Sequence, residues 1–118
     1  MALGTHHFGH LPVWLAGNAY FNGASVCKHE SGHLVGKGTA KLALDGGVLR
    51  NNLAELLGGY TAGVISTAVL GTAFEPEQRF ENRDGSDIVF NEDFFGNHRG
   101  TSVIPGPFAS LRDELPVL

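Results

Sequence analysis

Apolar side chains along this chain come in short runs, and glycine or proline ends almost every one of them. The first clear run is LPVWL at 11–15, where Pro12 confines the backbone to a strand start or a sheet edge. Breaks at Asn22-Gly23, at Ser31-Gly32 and across Gly36 to Gly38 leave short segments at 24–28, 33–35 and 39–44. Segments of that length between turn residues predict strands joined by tight turns, with a hairpin turning at Ser31-Gly32. Only one stretch carries a helical period. Leu49, Leu53, Leu56 and Leu57 follow the i, i+4, i+7, i+8 spacing of one helix face, which predicts a helix over 48–57 that Gly58-Gly59 would stop. The run 60–74 is rich in β-branched residues and predicts two strands around Ser66 or Gly71. Asp84-Gly85 predicts a hairpin turn, with a strand at 88–90 after it. No internal repeat and no domain boundary stand out. The pattern predicts a mainly β fold: a small single-domain β-sandwich or barrel with one short helix and extended terminal arms. The N-terminal arm would be 1–10, the β-rich body 11–100 and the C-terminal arm 101–118.

Composition sharpens this picture in one respect. Glycine supplies 17 of the 118 residues, about twice its usual share of roughly 7%, and it is spread along the chain. That suits turns between short strands better than long helices. Charge mainly excludes. A formal net charge of −4 with 8 scattered Lys and Arg offers no basic face for nucleic acid. No apolar run approaches the roughly 20 residues of a membrane-spanning helix. Cys27 stands alone, so no intrachain disulfide is expected, and MALGTHHFGH lacks the pattern of a secretory leader. The expectation is a soluble protein of a reducing cytoplasm.

Candidate chemistry centres on CKHESGHLVGKGT at 27–39, which contains His29-Glu30-Ser31-Gly32-His33. In an H-E-x-x-H helix the two histidines share a face around zinc, and the glutamate acts as base on the metal-bound water. Glu55 could supply a third ligand from the predicted helix. The glycines at 32, 36 and 38 oppose that helix, each at about 1 kcal/mol relative to Ala. The stretch HESGHLVG resembles the motif of membrane-anchored ATP-dependent zinc peptidases over eight residues. That resemblance implies a minimal zinc metallopeptidase with His29, His33 and Glu55 as ligands and Glu30 as catalytic base. His6, His7 and His10 form a second cluster, placed on an arm. Asn82 to Asp87 hints at a calcium loop but reads as a turn, because its glycine is misplaced for an EF-hand. Cys27 reads as a buried thiol.

A longer resemblance runs through 11–44. Tyr20, Gly23, Val26, Gly32, His33, Leu34 and Val35 carry a pattern similar to the N-terminal half of small tailed-phage capsid decoration, or cement, proteins. The segments 58–74 and 81–94 are similar to a later strand and the closing hairpin of that family. The resemblance implies a non-enzymatic structural protein of the virion, made in the host cytoplasm. Its partners would be the major capsid protein or other virion subunits, in a homo-oligomer and without cofactor, nucleic acid or membrane. Phe8, Trp14, Phe94, Phe95 and Phe108 are then the interface candidates, since aromatic side chains are enriched at contact anchors. Under this reading the arms order on binding; the zinc peptidase is the alternative.

Overall fold

The computed structural model describes residues 9, 10 and 12–118. The protein is mainly β, made among the described residues of short strands with two brief helices. Its first part is a stacked coil. Strands β1 (Leu15–Ala16) and β2 (Ala19–Tyr20) flank a bend at Gly17, and β3 (Glu30–Ser31) and β4 (Leu34–Val35) flank a bend at Gly32. The strand β1 pairs with β3 and β2 with β4, both parallel, and every partner lies fifteen residues on: Leu15 faces Glu30 and Tyr20 faces Val35. Between the strands the ladder continues, with Gly17 N–H donating to Gly32 O at 2.6 Å and Leu34 N–H to Asn18 O at 3.0 Å. A constant offset in parallel register means that the chain completes one turn of a coil and returns one strand spacing, about 4.8 Å, above itself. Gly17 and Gly32 hold φ of 71° and 62° at the two stacked bends. An L side chain is strained in that left-handed region, so each bend falls where glycine stands.

The hairpin expected at Ser31-Gly32 is therefore a bend within one rung of the coil, and β3 and β4 pair with the rung below instead of with each other. Residues 21–29 cross back between rungs and bury Cys27, which is 2% exposed, as the buried-thiol reading expected. Phe21 lies over Gly36, again fifteen residues on, where a Cβ would enter the ring.

An antiparallel sheet follows. The strand β5 (Leu42–Asp45) turns through Gly46-Gly47 into β6 (Val48–Asn51), and β9 (Glu114–Pro116) closes the other side of β6. The helix predicted over 48–57 is thus strand in its first part, with helix only at α1 (Leu53–Leu57). Leu49 sits in the ladder between Leu44 and Leu115, and tertiary pairing overrides the helical period there. Gly58, at φ 55° and ψ 32°, ends α1 as expected. Asparagines pin this region. Asn52 accepts from Lys41 N–H at 2.8 Å and donates to Thr39 O at 3.0 Å, and Asn51 donates to Arg112 O at 2.8 Å.

The run 60–74 holds one short strand, β7 (Ala62–Gly63), and then a helical turn, α2 (Thr67–Leu70), in place of the two strands expected. Ser66 caps α2 by accepting from Val69 N–H at 3.3 Å, the usual competition of serine with strand backbone. The strand β8 (Ser102–Val103) pairs with β7.

Between α2 and β8 lie two hairpin loops of one design. Glu81 bridges Asp87, and eleven residues on Glu92 bridges His98. In the first, Asn82 N–H donates to Ser86 O and Gly85 N–H to Asn82 O; in the second, Asp93 N–H donates to Asn97 O and Gly96 N–H to Asp93 O, all at 2.9 Å. The absence of an internal repeat expected from sequence does not hold here.

The segment 101–118, expected as an extended C-terminal arm, carries two short strands between bends and finds partners within the chain. Val103 and Leu115 are in ladders, and Phe108 and Leu115 are buried. The expected N-terminal arm, with Phe8, His6 and His7, lies outside the described residues apart from 9 and 10. Cys27, Leu57, Phe108 and Leu115 are the buried apolar side chains among the described residues, while Leu42, Leu44, Phe74, Phe90, Phe94 and Phe95 are exposed. The radius of gyration, 16.1 Å, exceeds the roughly 13.5 Å of a compact chain of this length.

Candidate functional site: a groove beside the stacked coil

The bends of the coil form one wall of a groove. Ala16, Gly17, Asn18, Ser31 and Gly32 come from the two rungs, 60–65 and 103–106 form the opposite side, and the cavity measures about 500 Å³. Gly17 has to be small here for a second reason, because a Cβ on it would stand 2.7 Å from that of Ala62. Pairing of β7 with β8 holds the far wall. Phe90 joins it because its N–H donates to Ile65 O at 2.9 Å, and Thr67 N–H meets Ile88 O at 2.9 Å. Thr67 Oγ1 locks the same corner, donating to Phe80 O and accepting from Ile88 N–H, both at 2.7 Å.

Trp14, Tyr60 and Phe90 give the groove three aromatic side chains, and Trp14 is 41% exposed. Among the described lining residues Arg99 is the single charged one, and none is Asp or Glu. Its Nη2 donates to Ile104 O at 2.6 Å. Its Nε is enclosed and finds no acceptor among the described residues, a state that costs about 1–3 kcal/mol for a polar group. Apolar walls with a few convergent polar groups are the usual form of a small-molecule site.

The residues singled out in the sequence are placed elsewhere or differently. His29-Glu30-Ser31-Gly32-His33 is a turn, a strand and a bend, with Glu30 and Ser31 in β3, so the helix that H-E-x-x-H needs is missing. The carboxylate of Glu30 ties the two rungs together. It accepts from Asn18 Nδ2 and from Tyr20 Oη, each at 2.9 Å, while His33 meets Tyr20 edge-on at 6.5 Å. Burial first, then the hydrogen bond to Glu30 and its negative charge, push the Tyr20 hydroxyl up to about 12. Glu55 is exposed on α1, and His29, His33 and Glu55 form no cluster; among the described residues no three His, Cys, Asp or Glu side chains gather as a metal site would require.

Of the aromatic interface candidates, Trp14 lines the groove. Phe94, Phe95 and Phe108 form a separate cluster, in which Phe95 stacks on Phe108 at 5.7 Å and Phe94 meets both edge-on. Phe108 is buried beneath them and Phe94 and Phe95 stay 60% and 46% exposed. Asp93 fixes this corner, accepting from Phe95 and Asn97 N–H groups and from Ala109 N–H.

Sequence reasoning missed Asn18, Tyr60, Phe90 and Arg99. One signal was available for Arg99: it follows Ile88 by the eleven residues that separate the two hairpin loops, so an arginine stands where the first copy has an aliphatic side chain.

No family model matches this chain, and no curated protein matches it. A solved structure described as the complex structure of XylC with xylose is similar to it, with a TM-score of 0.71 and 25% sequence identity. The likeness covers 88% of this chain and 17% of XylC, so this chain spans about a sixth of that protein's length.

Proposed function

We propose that this chain is a saccharide-binding β module whose site is the groove beside the coil. The observation that carries the reading is Trp14 standing half-exposed over a groove with Asn18 and Ser31 on its near wall and Tyr60 and Phe90 among its lining. A sugar ring is apolar on its C–H faces and polar around its rim. An aromatic face with amide and hydroxyl groups beside it matches both at once. The similarity to XylC, a protein solved with xylose, supports a pentose as the first ligand to test. Glycoside cleavage calls for a pair of carboxylates at the bond, and the lining described above offers none, so the reading is of binding. Trp14 is the chain's only tryptophan, which makes its fluorescence a direct report on the groove. Titration with xylose and short xylo-oligosaccharides should shift its emission saturably, and Tyr60→Ala should weaken the response. Unchanged emission at every sugar concentration would refute the proposal.

The capsid-decoration reading keeps one specific support, the exposed Phe94–Phe95 pair over buried Phe108. Apolar side chains left in water in this way fit a face that another subunit covers. Sedimentation of the chain alone and with assembled capsids would test it. Association unaffected by Phe94→Ser with Phe95→Ser would count against it.

A further inference from the structure

Resting on the saccharide reading, we propose that the groove selects an acidic sugar, a uronic acid, with its ring against the aromatic wall and its carboxylate on Arg99. A neutral sugar offers a guanidinium only uncharged oxygen acceptors, whereas a carboxylate also matches its charge. Here Arg99 is the sole charge among the described lining residues, on a chain whose formal net charge is −4. Among the described residues Arg99 has no carboxylate partner, as Arg83 and Arg112 have none, whereas Arg50 and Arg79 are paired; what sets Arg99 apart is its place in the groove.

The guanidinium is only partly engaged within the chain. The contact from Nη2 to Ile104 O anchors it at the groove wall; Nε is enclosed by protein, so a ligand would meet the terminal nitrogens and not Nε. A carboxylate accepts two parallel N–H bonds from one guanidinium, and such charge-assisted pairs are about twice as strong as neutral ones. The surroundings raise that difference. Trp14, Tyr60, Val103, Ile104 and Pro105 give the groove low-polarity walls, where an ion pair is screened less than at open surface. Asn18 and Ser31 remain for the ring hydroxyls. The selected ligand is thus a pyranose carrying one carboxylate, as a free uronic acid or as the acidic branch of a polysaccharide.

The test compares D-glucuronate with D-xylose by Trp14 fluorescence and calorimetry on the whole chain. Glucuronate should bind at least about tenfold more tightly. Raising salt to about 0.5 M should weaken glucuronate and leave xylose unchanged. In Arg99→Gln the ratio of glucuronate to xylose affinity should fall to about one, whatever the change in xylose affinity itself, and Arg99→Lys should restore part of the ratio. Equal affinities, or a preference that survives Arg99→Gln, would overturn the selection and leave the saccharide module standing. Binding of neither sugar would remove both proposals. Should Arg99→Gln fail to fold, the salt comparison on the unaltered chain decides the matter.

Discussion

The ring of Phe21 occupies the space where Gly36, fifteen residues later in the next rung, would carry a side chain. The contact couples the crossing segment to the coil, since Gly36 N–H also donates to Tyr20 O at 2.8 Å. Gly36→Ala is therefore an overpacking mutation, and it should cost about 1–3 kcal/mol. At this chain length that is a fall of roughly 3–5 °C in melting temperature per kcal/mol. Phe21→Leu in the same chain should recover part of the loss, because residues in contact do not act additively. Wild-type melting of Gly36→Ala would show that the two rungs are not packed as described.

Thr67 provides a second check, on the corner that carries Phe90 into the groove. It is 7% exposed, and its hydroxyl serves Phe80 O and Ile88 N–H together. Thr67→Val keeps the shape and strands both backbone groups, so a loss of about 1–3 kcal/mol is expected in denaturant unfolding. Thr67→Ser should retain most of the stability. A valine variant as stable as the natural chain would mean that those groups find other partners.

The clamp between Tyr20 and Glu30 predicts a pH dependence. The folded hydroxyl, pushed up to about 12 from its ordinary 10.0, holds its proton where the unfolded chain has released it. The native state then binds more protons than the unfolded one between those values, so stability falls with rising pH. The contribution is complete below about pH 10 and is lost through about 12. Absorbance titration should show one tyrosine ionising late. In Glu30→Gln that titration should move down towards 10 without reaching it, because burial, the largest cause, remains. An unshifted Tyr20 would contradict the clamp.

How far the sequence showed this molecule follows from which interactions are local. Turn residues were legible, since Gly23, Gly32, Gly58 and Gly85 stand where the backbone has positive φ, a property of single residues. The β-rich class followed from them. Pairing was not legible, because β1 and β3 share no apolar pattern: Leu15 faces Glu30 and Ala16 faces Ser31. The repeat showed only in the recurrence of Gly17 and Gly23 at Gly32 and Gly38. Glu30 drew attention as a catalytic base for its place in a five-residue word, whereas its partners Asn18 and Tyr20 lie ten or more residues away. The groove was hidden for the same reason: Trp14, Tyr60, Phe90 and Arg99 are brought together by ladder pairing, not by spacing.

The two similar hairpin loops allow a final, internally controlled prediction. Asp84 bonds within its own loop, accepting from the N–H and hydroxyl of Ser86. Asp93 bonds within its loop to Phe95 and Asn97 and also reaches Ala109 N–H at 3.0 Å, tying the loop to the segment beneath Phe94 and Phe95. Desolvation would push the Asp93 carboxyl up, but the N–H groups of Ala109, Asn97 and Phe95 together hold it below the ordinary 3.8. The carboxyl of Asp84 is also held low, chiefly by Ser86. Groups with lowered folded values contribute stability that is present above the unfolded value and fades as pH falls below it, because the unfolded state then takes up protons first. Both variants, Asp84→Asn and Asp93→Asn, should flatten the acid side of the stability profile. Asp93→Asn should lower melting at neutral pH by more than Asp84→Asn does, since it alone also releases a contact sixteen residues away. Amide exchange would locate the effect, with Ala109 losing protection in Asp93→Asn and keeping it in Asp84→Asn. Equal melting losses in the two variants would mean that the bond from Ala109 to Asp93 does not tie the C-terminal segment to the loop.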